Sequence, residues 1–404
     1  MKFIRTAFLI FIFSITLIAK NQPYVILISF DAFRWDYCDR GITPNLEMMR
    51  QNGVKAKSLK PCFPSKTFPN HYSIITGMYP ENHGIIANFF INPFTGEKYK
   101  IGDAASVRQS KWYLGEAFWE TARRNGIITA SCFWPGSDID LDYRRPNYFE
   151  YYDHSKPYKE RLDEVINWLS LPQNIRPHFL TVYFHDTDTF GHEFGPNSFE
   201  VNQSIKRLDS LIGYLNSKLI EIEMKDSVNL ILVSDHGMTE IEKEKIINIE
   251  ELIKIYNLKF ENNETFAFIE PKEKDIKKVY SLLKENENHY KVYLKDEVPE
   301  YYHYSKHPFL SSIFMMADLG WTIVDKRTLE KMNNTISKGN HGYDNNELDM
   351  HGIFLAEGPA FRKNFQISTI QNIDIYPLLS KIFGINPRSN IDGKLERIEF
   401  ILNQ

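Results

Sequence analysis

Three apolar runs in this chain each end in a carboxylate. Tyr24–Phe30 runs into Asp31. His178–Phe184 runs into His185-Asp186-Thr187-Asp188-Thr189-Phe190-Gly191-His192, and Asn229–Ser234 into Asp235-His236-Gly237. Two of these ends also carry histidine, and aspartate with histidine suits zinc or another borderline divalent metal. Asp188 and His192 are four apart, a spacing that puts both on one face of a helix or compact loop. Asp235 and His236 are adjacent and can both project from a tight turn before Gly237. One Asp after a strand is more often a helix cap or turn residue than a ligand, so Asp31 alone means little. Three acid-bearing strand ends mean more, because ligands of open α/β sheets bind beyond the carboxyl ends of the strands. A further polar turn, His341-Gly342-Tyr343-Asp344-Asn345, follows Gly339. Beside two Asp/His pairs its histidine makes a third ligand for one metal.

Such a centre needs something to activate. The stretch Pro61-Cys62-Phe63-Pro64-Ser65-Lys66-Thr67-Phe68-Pro69-Asn70-His71 is restrained by proline, and Tyr72–Thr76 reads as a helix behind it. A hydroxyl or thiol held there, facing a metal, becomes an anionic nucleophile. Cys62, Ser65 and Thr67 all compete for that role on chemistry alone.

The elements that must position these groups alternate along the chain. Tyr24–Phe30, Ile128–Phe133, His178–Phe184 and Asn229–Ser234 read as buried strands, with helical patterns at Thr43–Asn52, Leu114–Asn125, Tyr158–Leu171 and Ser198–Ile222. Continuous apolar strands alternating with helices predict an α/β fold with a mostly parallel central sheet covered by helices on both faces. Residues from about 240 to 336 differ. They are rich in Lys, Glu and Asn, with short strand signals at Phe266–Ile269 and Tyr290–Leu294, and predict a small inserted α+β subdomain capping the main unit. Residues 20–404 are otherwise expected to form one catalytic domain.

The N-terminus has its own signature. Lys2 and Arg5 precede an apolar run from Ala7 to Ala19, too short to span a bilayer, which reads as a secretory signal peptide over residues 1–19. No second run of spanning length follows, so the mature chain is expected to lack a transmembrane span and to be secreted or periplasmic. The formal net charge of −4 offers no basic surface for a nucleic-acid scaffold role. A small anionic substrate remains admissible, because metal charge dominates a site locally. With only Cys38, Cys62 and Cys132, at least one thiol is free. Stability must therefore rest on the core.

Taken together, these residues resemble the ectonucleotide pyrophosphatase/phosphodiesterase branch of the alkaline phosphatase superfamily, from about Tyr24 to Ile385. The resemblance is carried by Lys66 to Gly77, Tyr79-Pro80-Glu81-Asn82-His83-Gly84-Ile85, Asp188 to Pro196, Ser234-Asp235-His236-Gly237-Met238 and His341 to Asn345. It implies an alkaline phosphatase-like fold and two zinc ions per chain. One would be held by Asp188, His192 and His341, the other by Asp31, Asp235, His236 and the Thr67 oxygen. It also implies Thr67 as nucleophile, Asn88 as the phosphate-holding amide, and Phe68 and Tyr183 as aromatic substrate contacts. Asn88 would donate to an equatorial phosphate oxygen, as an oxyanion-hole donor does. A threonyl–phosphate intermediate would form and be hydrolysed by water.

Cys62-Phe63-Pro64-Ser65 also resembles the start of a sulfatase motif. Lys66 stands where that motif wants Arg, and the resembling sulfatases place their nucleophile nine residues before a Thr-Gly pair. Thr67 is nine residues before Thr76-Gly77 and Cys62 is fourteen, so the register favours Thr67. Asp186 and Asp188 are both conceivable ligands, and the spacing to Gly191-His192 favours Asp188. His351 is read as structural, and His71 and His83 as loop-orienting residues.

The expected activity is zinc-dependent hydrolysis of phosphodiester or pyrophosphate bonds in nucleotides or related small molecules. A choline-type phospholipid headgroup phosphodiesterase is the alternative, and would need an aromatic or anionic cage from Tyr151, Tyr152 or the tyrosines near Glu300–Tyr304. A phosphomonoesterase fits less well, since no Arg is aligned to clamp a terminal phosphate. A non-catalytic exported binding protein would be expected to lack at least one ligand, and every expected ligand is present.

Overall fold

The computed structural model describes residues 22–403 apart from 259, 327–328 and 331–336. The expected signal peptide and the end of the expected insertion lie outside the described residues. The central sheet is built from β1 (Tyr24–Phe30), β2 (Gly53–Ala56), β3 (Thr129–Cys132), β4 (Tyr148–Phe149), β5 (Phe179–Phe184) and β6 (Val228–Val233). A smaller sheet holds β7 (Phe260–Asn262), β8 (Phe266–Ile269), β9 (Tyr290–Leu294) and β10 (Ile313–Ala317). β11 (Phe354–Glu357) and β12 (Phe365–Ile367) return to the central one.

The central sheet has eight strands in the order β12-β2-β11-β6-β1-β5-β3-β4. β1 lies parallel between β5 and β6, with Ser29 opposite Tyr183 on one side and Val233 on the other. Only β11 runs antiparallel to its neighbours. The sheet is therefore mostly parallel, and helices cover both faces. Alternate residues of β1 explain the unbroken apolar run. Val25 and Leu27 pack into one core layer with Ile74 and Ile75, while Ile26, Ile28 and Phe30 pack into the other with Leu208 and Leu215. A strand buried on both sides shows no polar alternation.

Two helices matter for the site. α1 (Thr67–Thr76) begins five residues earlier than the sequence pattern indicates. Pro69 falls in its first turn, where the missing N–H has no intrahelical partner in any case. Thr67 is thus the first residue of a helix, and Gly77 at φ 67° closes it with an N–H bond to Ser73. α2 (Phe199–Glu221) is capped by Ser198, whose hydroxyl accepts from the Val201 N–H. It buries Val201, Ile205, Leu208, Ile212, Leu215 and Leu219 at helical spacing against the sheet. Each such side chain contributes roughly 1.5–3 kcal/mol by leaving water.

The smaller sheet runs β7-β8-β10-β9, antiparallel throughout. Its period of two divides its side chains. Ala267 and Ile269 face a separate small core with Val279 and Leu283, whereas Phe266 and Phe268 face the main core. There Phe63 packs 4.4 Å from Tyr302 and 5.6 Å from Phe314, centroid to centroid. The loop carrying Thr67 is thereby wedged against this sheet. A two-stranded ladder, Thr239 opposite Asn340, returns the chain to the main unit and delivers His341.

Candidate active site

Asp31 and Asp235 stand at the carboxyl ends of β1 and β6, Asp188 in the first turn of the helix Asp186–Phe194 that follows β5, and their side chains converge. His236 Nε2 lies 3.0 Å from Asp235 Oδ2, 3.5 Å from Asp31 Oδ1 and 3.2 Å from Thr67 Oγ1. Asp188 Oδ1 lies 3.3 Å from His192 Nε2 and 3.6 Å from His341 Nε2. Two ligand-like groups emerge among the described residues, Asp188 with His192 and His341, and Asp31 with Asp188 and His236. Asp188 belongs to both and so bridges them, while Asp235 joins through His236.

The three histidines are oriented alike. Nδ1 of His192, His236 and His341 each bonds a backbone carbonyl at 2.8 Å, those of Gly339, Gly237 and Ser65. Each ring therefore donates from Nδ1 and keeps its Nε2 lone pair for the cluster. Metal-ligating histidines are held by this second contact. The rings of His236 and His341 stack with centroids 3.6 Å apart.

The carboxylates carry a deficit. Asp31 Oδ1, Asp188 Oδ1 and Asp235 Oδ2 are buried and have no hydrogen-bond donor. Desolvation, then Asp235 and Asp188, push the Asp31 carboxyl well above its ordinary range. Desolvation would raise Asp235 too, but His236 and His71 hold it well below. Burial drives His341 well below the usual histidine value, the neutral form a metal requires. Unpaired acceptors of this kind cost free energy unless a cation satisfies them. The donor set of carboxylate oxygens and imidazole nitrogens fits a borderline divalent ion.

The surrounding residues fall into place around this cluster. Asn88 Oδ1 accepts the Phe68 N–H at 3.1 Å, leaving its Nδ2 to donate beside the start of α1. His71 braces the helix, with Nδ1 2.9 Å from Thr67 O and 3.3 Å from Asp235 Oδ2, and Nε2 2.8 Å from Ser29 Oγ. Tyr183 donates to Asp31 Oδ2 at 2.5 Å. Asp186 turns away, bonding Ser204, Arg207 and Tyr158. His351 bonds Ser58 and the Asn345 carbonyl, outside the cluster. Cys38, Cys62 and Cys132 are all free thiols.

A cavity of about 630 Å³ opens from Thr67, Asp31 and Asp188. Phe68, Tyr183, Tyr152, Phe133 and Trp134 give it aromatic walls, and Arg108, His154 and His185 add polar ones. Phe68, Tyr183 and Tyr152 are among the aromatics that the sequence offers as substrate contacts, whereas Phe133, Trp134, Arg108, His154 and His185 are not. The loops after β3 and β4 supply Phe133, Trp134, Tyr152 and His154, and no periodicity marks them. Of the tyrosines offered for a cage, Tyr152 lines this cavity, Tyr302 and Tyr304 are buried against Phe63, and Tyr301 is exposed and does not line it.

The family model described as type I phosphodiesterase / nucleotide pyrophosphatase matches residues 25–344. Bis(5'-adenosyl)-triphosphatase of Xenopus laevis is 36% identical over 385 residues, covering 95% of this chain and 82% of that protein. Human ectonucleotide pyrophosphatase/phosphodiesterase family member 5 is 34% identical over 406 residues, covering 100% of this chain and 83% of that protein. The solved structure of human family member 5 has a TM-score of 0.88 at 33% identity, over 94% of this chain and 100% of that one. The murine protein, in an inactive threonine-to-alanine form in complex with AMP, also gives 0.88, at 32% identity, over 95% of this chain and 100% of that one. The chain belongs to the type I phosphodiesterase / nucleotide pyrophosphatase family and is one of its hydrolases.

Proposed function

We propose that this enzyme hydrolyses phosphodiester or pyrophosphate bonds in nucleotides or related small molecules through a covalent intermediate on Thr67. Two zinc ions would be held by Asp188, His192 and His341 and by Asp31, Asp235 and His236. Bound there, they would lower the pKa of an oxygen they contact and offset negative charge on phosphorus oxygens. The observation that carries the reading is the position of Thr67 Oγ1, 3.2 Å from His236 Nε2, at the edge of the carboxylates that lack a donor.

The chain's own groups account for the rest. Thr67 Oγ attacks phosphorus, one P–O bond breaks, and the departing oxygen takes up a proton. Phosphorus stays bonded to Thr67 and to the other ester group. Water then attacks phosphorus, and Thr67 leaves with its proton restored. Asn88 Nδ2 donates to a phosphate oxygen, and the N-terminus of α1 adds a favourable dipole for the anion. The organic part of the ester occupies the aromatic cavity, between Phe68 on one side and Tyr183 and Tyr152 on the other.

A choline headgroup is less well served. Asp138 and Glu150, which line the cavity, are already paired with Arg108 and Lys156. Export is part of the same reading, from the N-terminal basic and apolar pattern and from relatives named as ectonucleotide enzymes. Among the described residues no helix is long and apolar enough to cross a membrane. Purified protein should release nitrophenol from a nitrophenyl nucleotide diester and cleave a dinucleotide faster than glycerophosphocholine. No turnover of either nucleotide substrate by metal-loaded protein would refute the reading.

A further inference from the structure

Behind the cavity wall lies an arginine that neither the sequence pattern nor the proposed chemistry uses. Arg161, in the helix Tyr158–Leu169, is fully buried. Its guanidinium makes no ion pair with a described carboxylate. Instead it donates to backbone carbonyls: Nε to Lys156 at 3.0 Å, Nη1 to Tyr183 at 2.7 Å, and Nη2 to His154 at 3.2 Å and Asp153 at 3.4 Å. It also lies over the rings of Phe133 and Tyr158, 5.2 and 5.0 Å from their centroids. A buried charge without a counterion is costly, and breaking its contacts is costlier still. Such an arrangement is retained where the planar fork of arginine holds several segments in one geometry.

The segments it holds are those that form the wall. Asp153 and His154 come from the loop after β4, Tyr183 from the end of β5, and Phe133 from the end of β3. The same loop carries Tyr152, whose hydroxyl lies 3.0 Å from His154 Nδ1, and His154 stacks on His185 at 3.7 Å. A local loop bond, Ser155 to Asp153, fixes only the turn itself. Tyr183 is also the residue that bonds Asp31. One guanidinium thus ties the wall to the strand that bears the cluster.

We propose that Arg161 is a positioning residue. It does not touch substrate, and acts by locking the 150–156 loop onto the end of β5, so that Tyr152, His154 and Tyr183 present one preformed surface to the organic group of the ester. This rests on the hydrolase reading above and assigns the part of it that concerns substrate selection. A preformed surface lowers the ordering cost of binding, so its loss should appear in KM for substrates that reach it.

The test compares two esters with the same leaving group, a nitrophenyl ester of a nucleoside monophosphate and methyl nitrophenyl phosphate, which has a methyl in place of the nucleoside. Their ratio of kcat/KM is insensitive to how much enzyme is folded, because loss of active protein lowers both alike. Arg161→Gln is expected to lower that ratio at least tenfold, chiefly through KM for the nucleoside ester. Arg161→Lys, which keeps the charge but not the fork, should lower it by a smaller factor and serves if the Gln variant does not fold. A ratio within twofold of the parent in the folded variant would overturn the proposal. Parent enzyme inactive on both esters would overturn the hydrolase reading itself.

Discussion

Thr67 Oγ1 and His236 Nε2 lie 3.2 Å apart although 169 positions separate them in the chain. The contact joins the N-terminus of α1 to the turn after β6. It exists because β1 lies between β5 and β6 and aligns their carboxyl ends, while Phe63 wedges the Thr67 loop against the smaller sheet. The predictions about turnover depend on that junction.

Thr67→Ala should remove turnover of the nucleoside ester by roughly 10³-fold or more, since the group that bonds to phosphorus is gone. Thr67 is buried at the head of the cavity, and among the described residues its hydroxyl hydrogen-bonds only His236, so the melting temperature should shift little. Thr67→Ser should keep measurable activity. Steady-state rates and a thermal melt on the same samples check this.

Exhaustive chelation should abolish activity, and elemental analysis of the active protein should find about two zinc per chain. His192→Ala removes one nitrogen from one group and leaves the other intact, so bound metal should fall to about one per chain. An unchanged metal content in that variant would remove His192 from the ligand set.

Asn88→Ala deletes the donor beside α1 and should lower kcat by about 10²–10³-fold, the usual effect of losing one such hydrogen bond. KM should change less. Asn88→Asp should be worse than Ala, because it replaces the donor with a charge that repels phosphate and keeps only the contact to the Phe68 N–H. Rate constants for the three proteins decide the order.

A pH dependence is built in away from the site. His83 is buried, with Nδ1 accepting from the Ile85 N–H at 3.2 Å and Nε2 3.1 Å from the Pro69 carbonyl. Desolvation lowers its pKa to about 3, against about 6.5 unfolded. Between those values the unfolded chain binds the proton and the folded chain does not. The stabilising effect is therefore complete above about pH 6.5 and is lost as pH falls toward 3. His83→Asn keeps an acceptor for Ile85 and cannot titrate. Urea unfolding near pH 5 should show a slope of stability against pH shallower by about 1.4 kcal/mol per unit than the parent. Equal slopes would contradict the assignment.

The cluster was legible because its parts sit where chemistry and backbone pattern coincide. An apolar run that stops at Asp31 or Asp235, or just short of Asp186-Thr187-Asp188, marks both the strand and the edge of the site. The four-residue step to His192 needed only a helix to bring it to Asp188. The start of α1 was harder to place, since Pro69 reads as a breaker unless the helix begins just before it. That Asp188 stands within reach of both candidate groups depends on how the ends of β1, β5 and β6 sit side by side, which residue spacing does not encode. The wall of the cavity was least legible. His154, Phe133 and Trp134 lie in irregular loops, and Arg161 meets that region through the backbone carbonyls of Asp153, His154 and Tyr183, which any sequence supplies. Tyr302 and Tyr304 show the converse, polar-tipped aromatics that reach core partners, the Met316 sulfur, Asp344 and the Ile86 carbonyl.

The central claim is that phosphorus is transferred to Thr67 before water takes it. The most direct measurement is the stereochemical course at phosphorus, using a chiral nucleoside phosphorothioate ester hydrolysed in isotopically labelled water. Two in-line displacements give net retention of configuration, the expected result. Net inversion would mean a single direct attack by water, and would contradict Thr67 as the nucleophile.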